Sequence, residues 1–204
     1  MITLFLDTSY NQTLGLLDEK GNWVRRSTKE GQKSSSILHS ELHQLCLEAG
    51  IQAAEIKNVL YLAGPGFYTG LRIAFGLAEM LKTEGCTTQG FYSFSIPLLL
   101  DVQDYTWITK AYRGEVFVHS CHAGQGTSRL ISEKDFLASA WTGPIYIHNA
   151  SALDQLMAEK LPGAIETEDL MLQNMSKLWT NFLSAQSLEL FYFRPPEEEF
   201  KPSV

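Results

Sequence analysis

Val59-Leu60-Tyr61-Leu62-Ala63-Gly64-Pro65-Gly66-Phe67-Tyr68-Thr69-Gly70-Leu71-Arg72-Ile73-Ala74-Phe75-Gly76 joins an apolar run, a glycine turn and the start of a helix. Val59 to Ala63 has the length and composition of a buried strand. Gly64-Pro65-Gly66 breaks it with a turn that needs unusual backbone angles or a close chain approach. Thr69 is placed to cap a following helix, which the pattern extends from Gly70 to about Glu84, with Gly85 as its stop. Two readings of this unit stay open. The amides and dipole of the helix N-terminus can hold an anion, with Gly64, Pro65, Gly66, Thr69 and Gly70 as the cradle. Alternatively, the glycines serve a tight strand-to-helix connection. Leu71 stands where a P-loop has lysine, and the spacing is not GxGxxG.

The helix carries Leu71, Ile73, Ala74, Phe75, Leu77, Ala78, Met80 and Leu81, leaving a narrow polar edge of Arg72, Glu79, Lys82 and Thr83. A helix apolar over most of its circumference is covered on two sides. One side meets a sheet. The other needs a second helix of the same chain or another protein, and periodicity does not say which flank that is.

Outward from this unit the chain alternates strands and helices, an α/β pattern. Strands are expected at Ile2–Leu6, Thr13–Leu17 and Trp23–Thr28, with turns at residues 7–11 and 18–22 and a polar loop over 29–36. A helix follows from about Ser36 to Ala49, then the strand and helix above, then a strand at Thr87–Tyr92 and a short helix to about Leu100. Tyr105–Lys110, a turn at residues 112–114 and Glu115–His119 form a second hairpin. It echoes the first: Leu4-Phe5-Leu6-Asp7-Thr8-Ser9 beside Trp107-Ile108-Thr109-Lys110-Ala111-Tyr112. The repeat points to two related halves. Beyond residue 122 the signals thin. Ser132 and Asp135 suggest a capped helix to about Ala140, and Pro144–His148 a strand. Ser151 with Asp154 caps a helix to about Lys160, Leu170–Ser184 is a helix, and Leu190–Phe193 a last strand before an acidic, proline-rich tail.

The 204 residues suffice for a real core in one large or two small domains. No apolar run reaches the ~18 residues of a membrane helix, and Met1-Ile2-Thr3-Leu4 lacks the basic start of a signal peptide. Three scattered cysteines, Cys46, Cys86 and Cys121, imply reduced thiols and a cytoplasmic location. With 16 basic against 23 acidic side chains, a net charge of −7, the chain is poorly suited to grip nucleic acid alone.

With Leu6-Asp7-Thr8-Ser9, the glycine stretch resembles the TsaB (YeaZ) family of tRNA threonylcarbamoyladenosine biosynthesis. Where that family reads GPGSFTGLRIG, this chain has Gly64-Pro65-Gly66-Phe67-Tyr68-Thr69-Gly70-Leu71-Arg72-Ile73-Ala74. His39-Ser40-Glu41 is similar to its HSE, Arg113-Gly114-Glu115-Val116-Phe117 to its DARRGEVY element, and Tyr192-Phe193-Arg194-Pro195-Pro196 to its terminal YLRxP. The matches fall in family order; residues 122–185 carry little of the pattern. The resemblance implies a duplicated actin-like (ASKHA) α/β fold with a reduced C-terminal half, divided as residues 1–100 and 101–204. It implies a non-catalytic subunit that pairs with a TsaD-like transferase through its N-terminal helices, joined by a TsaE-like ATPase. Contact with tRNA would come only through that complex, and the chain alone would be a homodimer. Leu71, Arg72, Phe75, Leu77, Glu79, His39 and Leu42 are the expected partner-facing residues.

The chemistry for independent catalysis is thin. An actin-like ATPase places metal and phosphates with carboxylates from both halves. Asp7 offers one, but Lys110 stands where the family has the other, so Asp7 is read as a turn residue beside Thr8 and Ser9. No cofactor is expected on the chain alone, and ATP or ADP only at a shared interface. His39, His43 and Cys46 share a helix face at metal-ligand spacing, yet the order is not HExxH, and no metal site is assigned. His119 and His122 flank Cys121 without need to converge, and no nucleophile elbow occurs. Phe191, Tyr192 and Phe193 are read as a core strand. The competing function is a metal-dependent hydrolase, peptidase or ATPase, of the same fold.

Overall fold

A computed structural model of the chain describes residues 1–29, 34–112, 114–150, 153, 155–184 and 188–194, with side chains described for all but 34–36, 183 and 184. It divides into two compact units, residues 1–92 with 175–204, and residues 93–174.

The first unit is built on β1 (Ile2–Asp7), β2 (Gln12–Leu17), β3 (Trp23–Lys29), β4 (Ile56–Gly64) and β5 (Thr87–Tyr92), in sheet order β3-β2-β1-β4-β5. β1–β2 and β2–β3 are antiparallel; β1–β4 and β4–β5 are parallel. The parallel pairs require crossovers, supplied by α1 (Ser34–Ala49) and α2 (Tyr68–Thr83). Alternation along the strands sends Leu4, Leu6, Leu14, Leu16, Val59 and Tyr61 into one core with Leu38, Leu45, Ala74 and Leu77 of those helices. The opposite face is aromatic: Phe5 meets Trp23 edge-on at 5.5 Å and Phe91 at 6.0 Å, and Phe91 lies 4.7 Å from Phe182. Phe182 and Trp179 belong to the last helix, which is why residues from Met175 join the first unit. The expected contiguous division at residue 100 is corrected on this point.

The second unit holds α3 (Ile96–Leu99), β6 (Tyr105–Lys110), β7 (Glu115–His122), β8 (Gln125–Ser132), α4 (Glu133–Ala138), β9 (Ile145–Ile147), α5 (Gln155–Glu159), β10 (Ile165–Glu166) and the start of α6 (Thr167–Ser184). Its sheet order is β10-β9-β6-β7-β8, with β6–β7 and β7–β8 antiparallel and β6–β9 and β9–β10 parallel. Taken from its other edge, this is the order and polarity of the first sheet. The weak hairpin echo is therefore a true duplication, and the fold is actin-like α/β. One face packs Ile108, Val116, Val118, Ile145 and Ile147 against Phe136, Met157 and Leu161. On α6, Asn174 leaves helical geometry (φ −118°, ψ 17°) where the chain passes from one unit to the other.

Three local readings change. α2 starts at Tyr68, and the capping position falls to extended Phe67 without a side-chain bond, so Thr69 is not the cap. Phe67 is fixed instead by its amide, which donates to the Ser9 carbonyl at 2.9 Å. Leu190–Phe193 forms no strand, because β4 already has both neighbours filled by β1 and β5. β8 escaped the sequence reading because its residues Gln125–Arg129 are exposed and polar, with no alternation to betray a strand. Ser132 caps α4 as expected, its hydroxyl oxygen accepting the Asp135 amide at 3.0 Å. The expected caps Ser151 and Asp154, the motif residue Arg113 and the tail from Pro195 lie outside the described residues.

Candidate functional site

The β1–β2 turn and the start of α2 come together as one packed unit. Asp7, 4% exposed, ends β1 and accepts hydrogen bonds from the Ser9 amide (2.8 Å) and hydroxyl (2.6 Å) through one carboxylate oxygen. Burial pushes its pKa up to about 6, against the pull of those two bonds. Thr8 Oγ1 donates to the Gly70 carbonyl at 2.6 Å. A Cβ on Gly70 would stand 1.8 Å from the Thr8 carbonyl oxygen, and one on Gly66 2.5 Å from the Ser9 Cβ. The glycines thus admit the Thr8-Ser9 turn itself. Gly64, Pro65 and Gly66 are buried with it, while Thr69 is exposed. Of the two readings of the glycine unit, close chain packing explains these positions: the Thr8-Ser9 turn fills the space in front of Gly66 and Gly70.

The last residue of β6, in the place Asp7 holds on β1, is Lys110. Its Nζ lies 3.2 Å from Glu133 Oε1 in an ion pair within the second unit. A lysine held this way supplies positive charge where metal coordination needs a carboxylate.

α2 resolves which flank is free. Leu71, Ala74, Leu77 and Ala78 are buried on the sheet, with Leu71 0% and Leu77 5% exposed. Leu71 and Leu77 are therefore core residues, correcting their assignment to a docking face. Phe75 is half-buried, its ring 5.9 Å from Tyr61. Glu79 is tied to Lys82 on its own helix at 3.2 Å. Arg72, His39 and Leu42 do reach the surface: the first two are exposed and Leu42 is half-buried.

Between α1 and α2 runs an open groove of about 310 Å³, walled by Leu38, His39, Arg72, Ile73, Leu77 and Met80 and floored at Gly76. A Cβ on Gly76 would meet nothing within 4 Å, and Met80 is 47% exposed. His39 also borders a second hollow, about 430 Å³, with Leu42, His43, Cys46, Leu47 and Ile51. Leu47 is 61% exposed, and the two hollows share His39 as a common border on α1. Ile73, Gly76 and Met80 were not among the expected partner-facing residues. Their spacing forms a second stripe, offset by two residues from Leu71, Ala74 and Ala78. His39 and His43 are exposed, whereas Cys46 is buried and desolvation raises its thiol pKa. Among the described residues no three His, Cys, Asp or Glu side chains gather as a metal-holding group. In the second unit His119 is buried, 4.2 Å from the Phe94 ring with Nδ1 2.8 Å from Ser128 Oγ, while His122 faces Asp104. The residues around Cys121 do not converge on a site. No described helix is long and apolar enough to cross a membrane.

No protein-family model matches the chain, and no curated protein sequence does. Solved structures do. An uncharacterized protein with similarity to peptidase YeaZ, from Pseudomonas aeruginosa, superposes with a TM-score of 0.61 at 18% identity, covering 93% of this chain and 99% of that one. YeaZ from Pseudomonas aeruginosa superposes with a TM-score of 0.61 at 19% identity, covering 89% and 94%. At such identity the likeness speaks for the fold, over nearly the whole length of both chains.

Proposed function

We propose that this chain, folded like the YeaZ structures, is a non-catalytic scaffold subunit for threonylcarbamoylation of the tRNA adenosine beside the anticodon. It pairs through the α1–α2 groove with an actin-like, TsaD-type transferase. The observation that carries this reading is the groove itself. An apolar strip lined by Met80, Ile73 and Leu38 and left open by Gly76 accepts a partner's apolar helix face. Lys110 supports the absence of independent catalysis, since its pairing with Glu133 puts a cation where nucleotide hydrolysis needs a metal-binding carboxylate. The net charge of −7 supports tRNA contact through the partner rather than by this chain alone. A TsaE-type ATPase joins the same assembly, ATP or ADP binds only at a shared interface, and the chain alone is a homodimer through the groove. The setting is the cytoplasm.

The test is co-purification from the native cell with assay of the modified adenosine in depleted cells. Gly76→Leu fills the groove without disturbing the core, and Met80→Glu puts a charge on its exposed wall. Both variants are expected to fold, lose the TsaD-type partner and fail to restore the modification. Wild-type pairing and modification by Gly76→Leu would overturn the reading. ATP or peptide turnover by the purified chain with a bound metal would replace it by the hydrolase.

A further inference from the structure

The last described segment, residues 188–194, has no regular structure, yet Leu188, Glu189, Phe191 and Tyr192 each bond or stack with other residues of the first unit. Tyr61 Oη donates to the Leu188 carbonyl at 3.4 Å and Tyr92 Oη to the Glu189 carbonyl at 2.9 Å. The Phe191 amide donates to the Ala63 carbonyl at 2.8 Å, and its ring meets Tyr92 edge-on at 5.6 Å. Gly64 makes this approach possible: at φ +127°, a Cβ there would lie 2.4 Å from the Phe191 carbonyl oxygen. The next residue, Tyr192, sets its ring 4.7 Å from Tyr68, tilted by 35°. Tyr68 is the first residue of α2. Its Oη accepts from Arg72 Nη1 at 2.5 Å, and the Arg72 guanidinium lies 5.3 Å from its ring. Arg72 walls the groove.

We infer that residues 188–194 are a strap that positions the groove: Tyr192 pins Tyr68, and Tyr68 holds Arg72 in the orientation that the groove's occupant meets. The physical ground is entropic. A solvent-exposed arginine samples many rotamers and loses that freedom on docking. An arginine already fixed by a stacked tyrosine has lost it beforehand, so binding is stronger without any new contact. Arg72 has four further N–H donors beyond the one given to Tyr68. Held at the groove wall, that fork suits a carboxylate or carbonyl on the partner helix. Arg72 is the groove contact; Tyr192 and Tyr68 act through it. The inference rests on the docking reading above and adds a cause for the tight seating of the C-terminal segment.

The test uses the full chain with its co-purified partner and two readouts, the Arg72 Nε–H resonance and the dissociation constant. Tyr192→Ala is expected to move the resonance to the position of a freely solvated arginine and to weaken pairing roughly 3- to 10-fold. Tyr192→Phe keeps the ring and restores both. Ile145→Val, in the second unit, lowers stability generally and is expected to move neither. Should Tyr192→Ala leave the resonance unmoved, or move it with wild-type affinity, the strap has no positioning role. Gly76→Leu separates the two readings. If it loses the partner while Tyr192→Ala binds as wild type, the strap alone fails. If it keeps the partner, the docking reading fails whatever Tyr192→Ala does.

Discussion

Gly70 and Asp7 show how little room the β1–β2 turn has. A methyl at residue 70 would collide with backbone, the Thr8 carbonyl oxygen at 1.8 Å, and backbone cannot swing aside as a flexible side chain can. Gly70→Ala is therefore expected to cost roughly 3 kcal/mol, the upper range for overpacking, read as a fall in the urea midpoint. Gly76→Ala, with nothing within 4 Å, should instead gain up to about 1 kcal/mol from helix propensity. Asp7 makes stability pH-dependent. Its folded pKa of about 6 lies above the ordinary 3.8, so between those values the folded state holds more protons than the unfolded. Stability contributed by the protonated carboxyl is full below pH 3.8 and is lost as pH rises through 6, a span worth roughly 3 kcal/mol. Glu166, raised to about 7 mainly by burial, acts with the same sign between 4.5 and 7. Asp7→Asn should flatten the acid side of the curve and Glu166→Gln the neutral side, as measured by denaturant midpoints from pH 4 to pH 8.

At the scale of elements, α2 has two apolar stripes with different tasks. Leu71, Ala74, Leu77 and Ala78 close the core over the sheet, and Ile73, Gly76 and Met80 border the groove. Truncating each stripe tells them apart. Leu77→Ala leaves a cavity in a close-packed layer and should cost about 2–5 kcal/mol. Met80→Ala, on an exposed wall, should stay within about 0.5 kcal/mol while weakening association measured by sedimentation. A glutamate at Leu77 would test folding, not docking. The equivalent edge strands of the two sheets, β3 and β8, differ as well. β3 carries Arg25, paired with Glu48 at 2.5 Å, and Lys29, 3.6 Å from Glu41, both partners on α1. β8 has one charged side chain, Arg129, along eight residues. Charges of the β3 kind guard a strand edge against unwanted pairing.

For the molecule as a whole, the duplicated topology makes the ends of β1 and β6 equivalent positions of their own sheets, and the two copies have diverged there. The first unit ends β1 on a buried carboxylate used by its own turn, and the second ends β6 on a lysine used by Glu133. Asp7 spends one carboxylate oxygen on its own turn, and Lys110 sets a cation where a metal-bound phosphate calls for a second carboxylate. The purified chain is accordingly expected to show no ATP turnover and no stoichiometric zinc by metal analysis. His39→Ala and His43→Ala should leave its metal content unchanged.

Sequence alone determined the α/β alternation, most strand positions, the two helices of the first unit and the duplicated hairpin. Each of these rests on local periodicity or turn chemistry, which a linear reading sees. The expected partner-facing set was only partly legible: Arg72, His39 and Leu42 reach the surface, whereas Leu71 and Leu77 are buried on the sheet. A helix apolar on most sides gives no phase, and only the position of the sheet decides which stripe is core and which is groove. Polar β8 was invisible for the opposite reason, since a strand exposed along most of its length needs no hydrophobic alternation. The return of residues 175–194 to the first unit was equally out of reach. It depends on Phe182 meeting Phe91 and Phe191 meeting Ala63, contacts between residues about 90 and 130 positions apart that no local pattern encodes.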